Sequence, residues 1–178
     1  MNLVFIATSL DGFIAKEDGS IDWLTQFPNP KNEDYGFDDF INRVDAIVMG
    51  RNTYEIVLAF NQWPYTKHVF VQSTKLRIPP TNLQDKVTIL NCTPQEVIKK
   101  TKEINYKTLY IDGGKTIQNF LKEDLIDEMI ITKIPIILGS GTPLFSITNK
   151  VLDFEHKGTK IFSNGLVKSH YIRKRHEE

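Results

Sequence analysis

The chain has 178 residues, of which 40% are apolar and 25% are charged, and this composition is ordinary for a soluble globular protein. Lys plus Arg and Asp plus Glu both number 22, so the net charge near zero gives no electrostatic reason to expect a nucleic acid or an anionic membrane as a partner. The single cysteine, Cys92, excludes an internal disulfide framework and a cysteine-based zinc site, and we expect no metal centre.

The first half of the chain alternates apolar runs with helical patterns. Residues 2–10, "NLVFIATSL", form a near-continuous apolar run typical of a strand that is buried on both faces. Residues 11–20 predict a loop, and apolar residues at helical spacing predict a helix over 32–44. Further strands are predicted at 45–50, 67–74 and 87–91, with a helix at 51–60 between the first two.

The second half begins with a clear helix signal. A helix is predicted over 93–104, with Thr93 as its N-cap, Pro94 at the first helical position and Glu96 completing a capping box. The elements predicted after it are a strand at 108–112, a helix at 115–123, a long strand at 127–138 and a hairpin that turns near Asn164-Gly165.

Strands alternate with helices up to residue 122, and strands dominate after it. This order predicts a single α/β domain over residues 1–178, with a mostly parallel central sheet, helices on both faces and an antiparallel C-terminal edge hairpin. In such sheets ligands lie beyond the carboxyl ends of the strands. Three predicted strands end in residues that suit a ligand, namely Gly50, Ser73-Thr74 and Gly113-Gly114.

Compartment signals are few. No apolar stretch approaches the roughly 20 residues that a membrane helix needs. The N-terminal "MNLVFIATSLDG" lacks a basic segment before its apolar run and a small-residue cleavage site, so we expect no secretory signal. A single cysteine also fits a reducing compartment. These features indicate a cytoplasmic enzyme or binding domain.

Two adjacent glycines, Gly113 and Gly114, separate a buried strand from a helix. Glycine permits strained backbone angles and a close ligand approach, and the N-terminus of the following helix favours a phosphate, to which Thr116 can add a hydroxyl. A tight turn without a ligand explains the same dipeptide, and the dipeptide alone does not choose between the two. The motif is not the three-glycine fingerprint of a Rossmann unit.

The segment "VMGRNTYE" repeats the order of strand, glycine and helix start. Arg51 in the first helical turn opposes the helix dipole, and a bound phosphate would offset that conflict, although an arginine lying in solvent is the alternative. Two such helix starts in one parallel sheet indicate a ligand with more than one phosphate. The residues available for a further phosphate after the third strand are Ser73, Thr74, Lys75 and Arg77.

These segments, in this order, resemble the dihydrofolate reductase superfamily, and within it the branch that includes the reductase domain of bacterial riboflavin biosynthesis. "IATSLDGFIA", followed by "DW", is similar to the first strand and mobile loop of these reductases, and "DAIVMGRNTYE" resembles their second strand and helix. "LYIDGGKTIQNFL" followed by "LIDEMIITKIPIILGSGTPLF" is similar to a segment typical of the riboflavin branch. The resemblance covers nearly the whole chain and implies a dihydrofolate-reductase-like three-layer fold.

The resemblance implies NADPH as the cofactor. It implies that Ala7 and Ile14 flank the nicotinamide. The residues implied to contact the rest of the cofactor are Gly50, Arg51, Asn52 and Thr53 on the pyrophosphate and adenosine side, Ser73 and Thr74 with Lys75 or Arg77 at the 2′-phosphate, and Gly113, Gly114, Lys115 and Thr116 around the pyrophosphate.

The substrate side is less defined. An ungapped match to folate reductases places Asp34 at the carboxylate that those enzymes present to their substrate, with Glu33 and Asp38 as neighbours. An acid there is also what an ordinary N-terminal helical turn favours. Asp11 and Trp23 are candidates for contacts with a smaller heterocycle, and Trp23 is either an apolar lid of the loop or a core aromatic.

Three functions remain open at this point. The first is an NADPH-dependent reductase of a pyrimidine or pteridine substrate, similar to 5-amino-6-(5-phosphoribosylamino)uracil reductase. The second is a dihydrofolate reductase, against which stands the pair Thr66 and Lys67 where folate reductases place an arginine. The third is a non-catalytic NADPH-binding protein.

The run "DEMIITKIPIILG" bears on assembly. Pro135 cannot donate to a ladder, so the strand is expected to bend there or to lie near an edge, and an exposed edge invites pairing. Riboflavin-type reductases, which the chain resembles, are commonly dimers. We therefore expect a homodimer with residues 127–145 at its interface, the alternative being a strand buried within its own sheet.

Overall fold

A computed structural model describes residues 1–175, which contain ten strands, five α-helices and a short 3-10 helix at Thr81–Leu83. The strands are β1 (Asn2–Thr8), β2 (Phe13–Ala15), β3 (Ala46–Gly50), β4 (His68–Gln72), β5 (Val87–Leu90), β6 (Leu109–Asp112), β7 (Glu128–Lys133), β8 (Thr142–Pro143), β9 (Phe154–Ile161) and β10 (Val167–Arg173). The helices are α1 (Asp22–Thr25), α2 (Phe37–Asn42), α3 (Arg51–Leu58), α4 (Pro94–Glu103) and α5 (Gly114–Lys122). Over residues 1–175, no helix combines the length and the apolar character that crossing a membrane requires.

Eight strands form one sheet in the order β5-β4-β3-β6-β1-β7-β10-β9. Neighbouring strands from β5 to β7 pair in parallel, whereas β10 pairs antiparallel with both β7 and β9. This sheet confirms the predicted α/β fold, with its mostly parallel centre and its antiparallel edge hairpin. The hairpin turns at Asn164-Gly165, where Gly165 has a φ of +88°.

Helices cover both faces of the sheet, because successive side chains along each strand point to opposite faces. On one face the helices α4 and α5 contribute Val97, Ile117, Phe120 and Leu121 to the core. On the other face the helices α2 and α3 contribute Phe40 and Tyr54. The predicted three-layer arrangement is therefore confirmed.

The start of α4 shows how closely local chemistry fixes a boundary. The Thr93 hydroxyl accepts the N–H of Glu96 at 3.3 Å, and the Glu96 carboxylate accepts the N–H of Thr93 at 2.7 Å. Pro94 occupies the first helical position, where it has no partner to lose. The predicted capping box is confirmed, and the helix begins where it was predicted.

Several elements are shorter than predicted, and two of them, α2 and β7, are only about half as long. The helix α2 begins only after Gly36, whose φ of +86° lies in the left-handed region, so residues 32–36 lie outside the helix. The long strand predicted over 127–138 ends at Lys133, two residues before Pro135. Proline cannot donate to a ladder, and the chain leaves the sheet there.

The position of β7 decides among the alternatives that the sequence left open for this strand. It lies between β1 and β10, so it is not an edge strand, and the two edges of the large sheet are β5 and β9. Large apolar side chains instead become exposed after the strand, at Ile137 and Phe145. The expectation of a homodimer remains a prediction.

Candidate active site

The carboxyl ends of the parallel strands open into a cavity of about 1390 Å³. Its wall includes the ends of β1, β3, β4, β5, β6 and β7, the first turns of α3 and α5, and parts of the loops on either side of α1. The carboxyl ends of the strands are also where the sequence predicts a ligand. The residues predicted for the site that line the cavity are Ala7, Ile14, Asp34, Gly50, Arg51, Asn52, Thr53, Ser73, Thr74, Lys75, Gly113, Gly114, Lys115 and Thr116.

Two turns of the form strand, glycine, helix lie side by side in this wall, because β3 and β6 are neighbours in the sheet. A Cβ atom on Gly113 would overlap the hydroxyl of Thr53, and a Cβ atom on Gly50 would lie 2.9 Å from the hydroxyl oxygen of Thr116. Each glycine therefore makes room for a threonine from the other turn. Gly113 has a φ of +87° as well, a conformation that L side chains rarely adopt.

This packing supplies a reason for Gly113 that requires no ligand. It also brings the N-termini of α3 and α5 together at the cavity. The first N–H groups of a helix lack intrahelical partners, and they carry the positive end of the dipole. Two such helix ends in one wall form a site suited to linked phosphates.

Arg51 projects from the first turn of α3 and pairs with Glu55, one turn further along, at 2.9 Å. The carboxylate offsets the unfavourable position of the arginine against the helix dipole. Both side chains are partly exposed, so the pair is weak, and Arg51 remains available to a bound phosphate.

The residues after β4, which are the candidates for binding a further phosphate, differ in whether they line the cavity. The hydroxyl of Ser73 accepts the N–H groups of Lys75 and Leu76 at 3.1 and 2.9 Å, so it caps its own turn. Thr74 and Lys75 are exposed and line the cavity, whereas Arg77 is exposed and lies outside its wall. Of the two alternative cations, the structure brings Lys75 to the cavity.

Asp34 lies in the cavity wall, yet its carboxylate is engaged by the backbone. Its two oxygens accept the N–H groups of Asp38 and Gly36, each at 2.9 Å. These bonds lower the pKa of Asp34, which is therefore ionised at neutral pH. Asp34 thus caps the start of α2, as the second interpretation of the sequence held, and near neutrality it can accept a proton but has none to give.

Asp11 lies outside the cavity wall, where it joins two loops. Its carboxylate accepts the hydroxyl of Ser9 at 2.6 Å and the N–H groups of Leu138 and Gly139 at 3.1 and 2.8 Å. These bonds lower the pKa of Asp11, the one from Ser9 most of all. The geometry gives Asp11 a structural role.

Trp23 also lies outside the wall. It packs against a small cluster made of Ile134, Phe162 and Leu166, while the neighbouring Leu24 lines the cavity. Trp23 is thus a partly buried aromatic packed beside the site, which favours the second of the two interpretations that the sequence allowed.

The sequence analysis assigned no role to Asp112, which closes β6 and lines the cavity. Burial raises the pKa of Asp112 to about 6, although the N–H of Gly113 donates to its carboxylate at 2.8 Å. Burial also raises the pKa values of the Tyr65 and Tyr110 phenols on the same side of the sheet. A carboxyl group of this kind is partly protonated near neutral pH and can donate a proton. The signal in the sequence was an acid at the end of an otherwise apolar strand.

Relatives of this chain share both its sequence and its fold. The profile of the RibD C-terminal domain family matches residues 3–168. A putative riboflavin biosynthesis protein from Shewanella sp. PV-4, solved by crystallography, is 48% identical with a TM-score of 0.93, over 98% of this chain and 99% of that one. The Bacillus subtilis protein YwjB is 42% identical over 177 residues, which span 96% of this chain and 97% of YwjB.

A more distant structure shares the fold. The diaminohydroxyphosphoribosylaminopyrimidine deaminase/5-amino-6-(5-phosphoribosylamino)uracil reductase of Thermotoga maritima has a TM-score of 0.71 at 18% identity. The match covers 98% of this chain and 56% of that protein. The chain therefore belongs to the RibD C-terminal domain family and has its dihydrofolate-reductase-like fold.

Proposed function

We propose that the protein is an NADPH-dependent reductase that transfers hydride to a pyrimidine or pteridine ring, in the manner of 5-amino-6-(5-phosphoribosylamino)uracil reductase. The observation that carries this proposal is the meeting of two glycine-led helix N-termini, those of α3 and α5, in a large cavity at the carboxyl ends of a parallel sheet. Membership of the RibD C-terminal domain family supports the same reaction class.

The residues of the wall fit a dinucleotide. The helix N-termini suit its pyrophosphate, and cationic side chains are supplied by Arg51, Lys75 and Lys115. Thr74 and Lys75, at the end of β4, suit the 2′-phosphate that distinguishes NADPH from NADH. Held by these residues, NADPH would supply the hydride.

The remaining wall residues orient the ring and exclude water. Ala7 and Ile14 provide an apolar surface against which the nicotinamide can lie, and such a surface keeps the reacting atoms dry. Asp112, whose pKa burial raises to about 6, lies on the same side of the sheet as Ala7 and is partly protonated near neutral pH, and we assign it the role of donating a proton to the reduced heterocycle.

The test combines cofactor titration with turnover. We expect NADPH to bind more tightly than NADH and to be oxidised in the presence of a pyrimidine or pteridine substrate, followed by absorbance at the nicotinamide band. Turnover of dihydrofolate alone would favour the dihydrofolate reductase alternative. Binding of NADPH without oxidation across the substrate panel would favour a non-catalytic NADPH-binding protein.

A further inference from the structure

The loop before α2 forms part of the cavity wall in a conformation that most side chains disfavour. Asn29, Asp34 and Tyr35 line the cavity, and we call residues 28–36, to which they belong, the Tyr35 loop. Within this loop Asn32 has a φ of +48° and Tyr35 a φ of +55°, both in the left-handed region. Such conformations persist where the surrounding structure holds them, and they concentrate at functional sites. The contacts that hold this loop therefore bear on the shape of the cavity.

Three contacts join Tyr35 to the hairpin formed by β9 and β10. Its ring packs edge-on against Phe162, with the centroids 4.9 Å apart. Its hydroxyl accepts the side-chain amide of Asn164 at 2.9 Å, and the same amide donates to the carbonyl oxygen of Pro28 at 2.8 Å. Its carbonyl oxygen accepts the ammonium group of Lys168 at 2.7 Å. The hairpin therefore fixes both the ring and the backbone of Tyr35.

The contact made by Lys168 is the charged one, and the space around it is closely filled. The ammonium group lies 5.9 Å from the centroid of the Phe5 ring. A Cβ atom on Gly36 would come within 2.8 Å of it, so Gly36 leaves the space that the ammonium group occupies. Burial lowers the pKa of Lys168, and the carboxylate of Asp34 opposes that shift. Because hydrogen bonds from charged groups are stronger than neutral ones, this contact is the one best able to hold Tyr35.

The other end of α2 is anchored separately on the same face of the sheet. Glu128 of β7 is buried, and its carboxylate accepts two N–H groups of Arg43, the residue after α2, at 2.9 and 2.7 Å. The Nε2 atom of His170, two residues after Lys168 on β10, lies 3.1 Å from the same carboxylate. The end of α2 is thus fixed without Lys168, which acts on the loop at its start.

The contact between Lys168 and Tyr35 lies away from the two turns assigned to the cofactor. Three strand spacings separate β10 from β6, since β1 and β7 lie between them, and this amounts to roughly 14 Å. The helices α3 and α5 begin directly after β3 and β6. A change at Lys168 should therefore alter the Tyr35 loop and leave the helix N-termini in place.

We infer that Lys168 is a positioning residue for the substrate: through the carbonyl group of Tyr35, it holds the Tyr35 loop in the conformation that completes the substrate part of the cavity. The inference rests on the proposed function, because it assumes that the cofactor occupies the helix N-termini and leaves the part lined by the loop to the substrate. Loss of the ammonium group should free the loop and weaken substrate binding, without an equal effect on the cofactor or on the chemical step.

The first test measures the loop itself in Lys168→Met, because methionine keeps an unbranched stem but has no ammonium group. The amides of Asn32, Glu33 and Gly36 are hydrogen-bonded within the loop. We expect them to exchange with solvent deuterium about tenfold faster in the variant, whereas the amides of β3 and β6 should be unaffected. Unchanged exchange in the loop, or equal acceleration throughout the sheet, overturns the inference.

The second test separates substrate from cofactor. With 5-amino-6-(5-phosphoribosylamino)uracil as the probe, Lys168→Met should raise KM about tenfold and change kcat by less than about threefold. The Kd of NADPH, measured by calorimetry, should stay within about twofold of its original value, which also shows that the variant is folded. An equal loss of NADPH affinity, or a fall in kcat at unchanged KM, contradicts the assigned role.

Lys160→Met is the matched control. Lys160 lies directly opposite Lys168 in the hairpin, and its ammonium group lies 4.7 Å from the centroid of the Phe162 ring. It is exposed, and no hydrogen bond joins it to the Tyr35 loop within residues 1–175. This variant should leave both loop exchange and KM unchanged. Equal effects of the two substitutions would assign the result to the charge of the hairpin and overturn the inference.

The proposed function fails on a different measurement. Failure of the unmodified protein to bind NADPH contradicts the cofactor site, whereas the exchange rates of the Tyr35 loop test the role of Lys168 without any ligand.

Discussion

Asp112 shows most directly how position changes the chemistry of a residue. An aspartate in water is ionised above about pH 4, but burial at the end of β6 raises the pKa of this one to about 6. The folded state therefore holds the proton more tightly than the unfolded chain. Its contribution to stability is fully present below the unfolded pKa and is lost as the pH rises through 6.

We expect Asp112→Asn to raise the free energy of unfolding at pH 8 by about 2–3 kcal/mol, because the amide carries no charge to bury and its oxygen can still accept the N–H of Gly113. At pH 4 the gain should largely disappear. Urea unfolding at both pH values measures the difference. The same variant should lower kcat at both pH values, since it cannot supply a proton. A gain that does not depend on pH would contradict the raised pKa.

Lys75 and Arg77 form a second contrast at this scale. Lys75 lines the cavity and Arg77 does not, although both follow β4 and both are exposed. Lys75→Ala should reduce the preference for NADPH over NADH by about 10- to 100-fold, as expected for the loss of a charge-assisted phosphate contact. Arg77→Ala is the control and should leave the preference unchanged. Fluorescence titration of each variant with NADPH and with NADH measures the preference. A larger effect of Arg77→Ala would assign the 2′-phosphate contact to Arg77 instead of Lys75.

At the scale of elements, the two glycine turns act as one unit. Gly113 is needed for its positive φ and for the space taken by Thr53, whereas Gly50 has an ordinary φ of −83° and a threonine hydroxyl 2.9 Å from its missing Cβ. The two positions therefore separate backbone strain from crowding.

Gly113→Ala should lower the free energy of unfolding by about 2–4 kcal/mol, since left-handed backbone strain and overpacking add. Gly50→Ala should cost less, because only the Thr116 side chain must move. Adding Thr53→Ala to Gly113→Ala should recover the part due to crowding and leave the strain. Chemical unfolding of the unmodified protein, the two single glycine variants and the double variant measures the contributions of backbone strain and of crowding. Equal costs at the two glycines would show that the φ of Gly113 is not a constraint.

For the whole molecule, the open question is assembly. We propose a homodimer in which the segment after β7 is covered by a second copy, because Ile137 and Phe145 are 73% and 53% exposed there. We expect light scattering to give a mass near twice the 20.5 kDa of one chain.

Ile137→Glu together with Phe145→Glu should then shift the mass to that of one chain. Ile78→Glu is the control, because Ile78 is equally exposed, at 77%, but lies after β4. A single-chain mass for the unmodified protein would contradict the dimer. Dissociation by the control variant would place the interface elsewhere.

The sequence by itself determined the order of the strands and helices, and it indicated that a ligand would lie at the carboxyl ends of the parallel strands. Period-two and helical patterns, the capping box of Thr93 and the glycines after two strands are local signals, and the physics behind each acts over a few residues. For that reason the α/β architecture could be predicted, most of the predicted site residues do line the cavity, and the helix α4 begins where expected.

Only the tertiary structure decided what depends on neighbours distant in sequence. The sequence could not show that Thr53 fills the space above Gly113 or that Asp11 joins two loops separated by more than a hundred residues, and it left open whether Asp34 caps α2. The pKa of Asp112 is likewise set by burial among other strands and not by its own segment. Burial, close packing and the pairing of polar groups arise only when the chain is assembled, and they decided which predicted residues face the cavity.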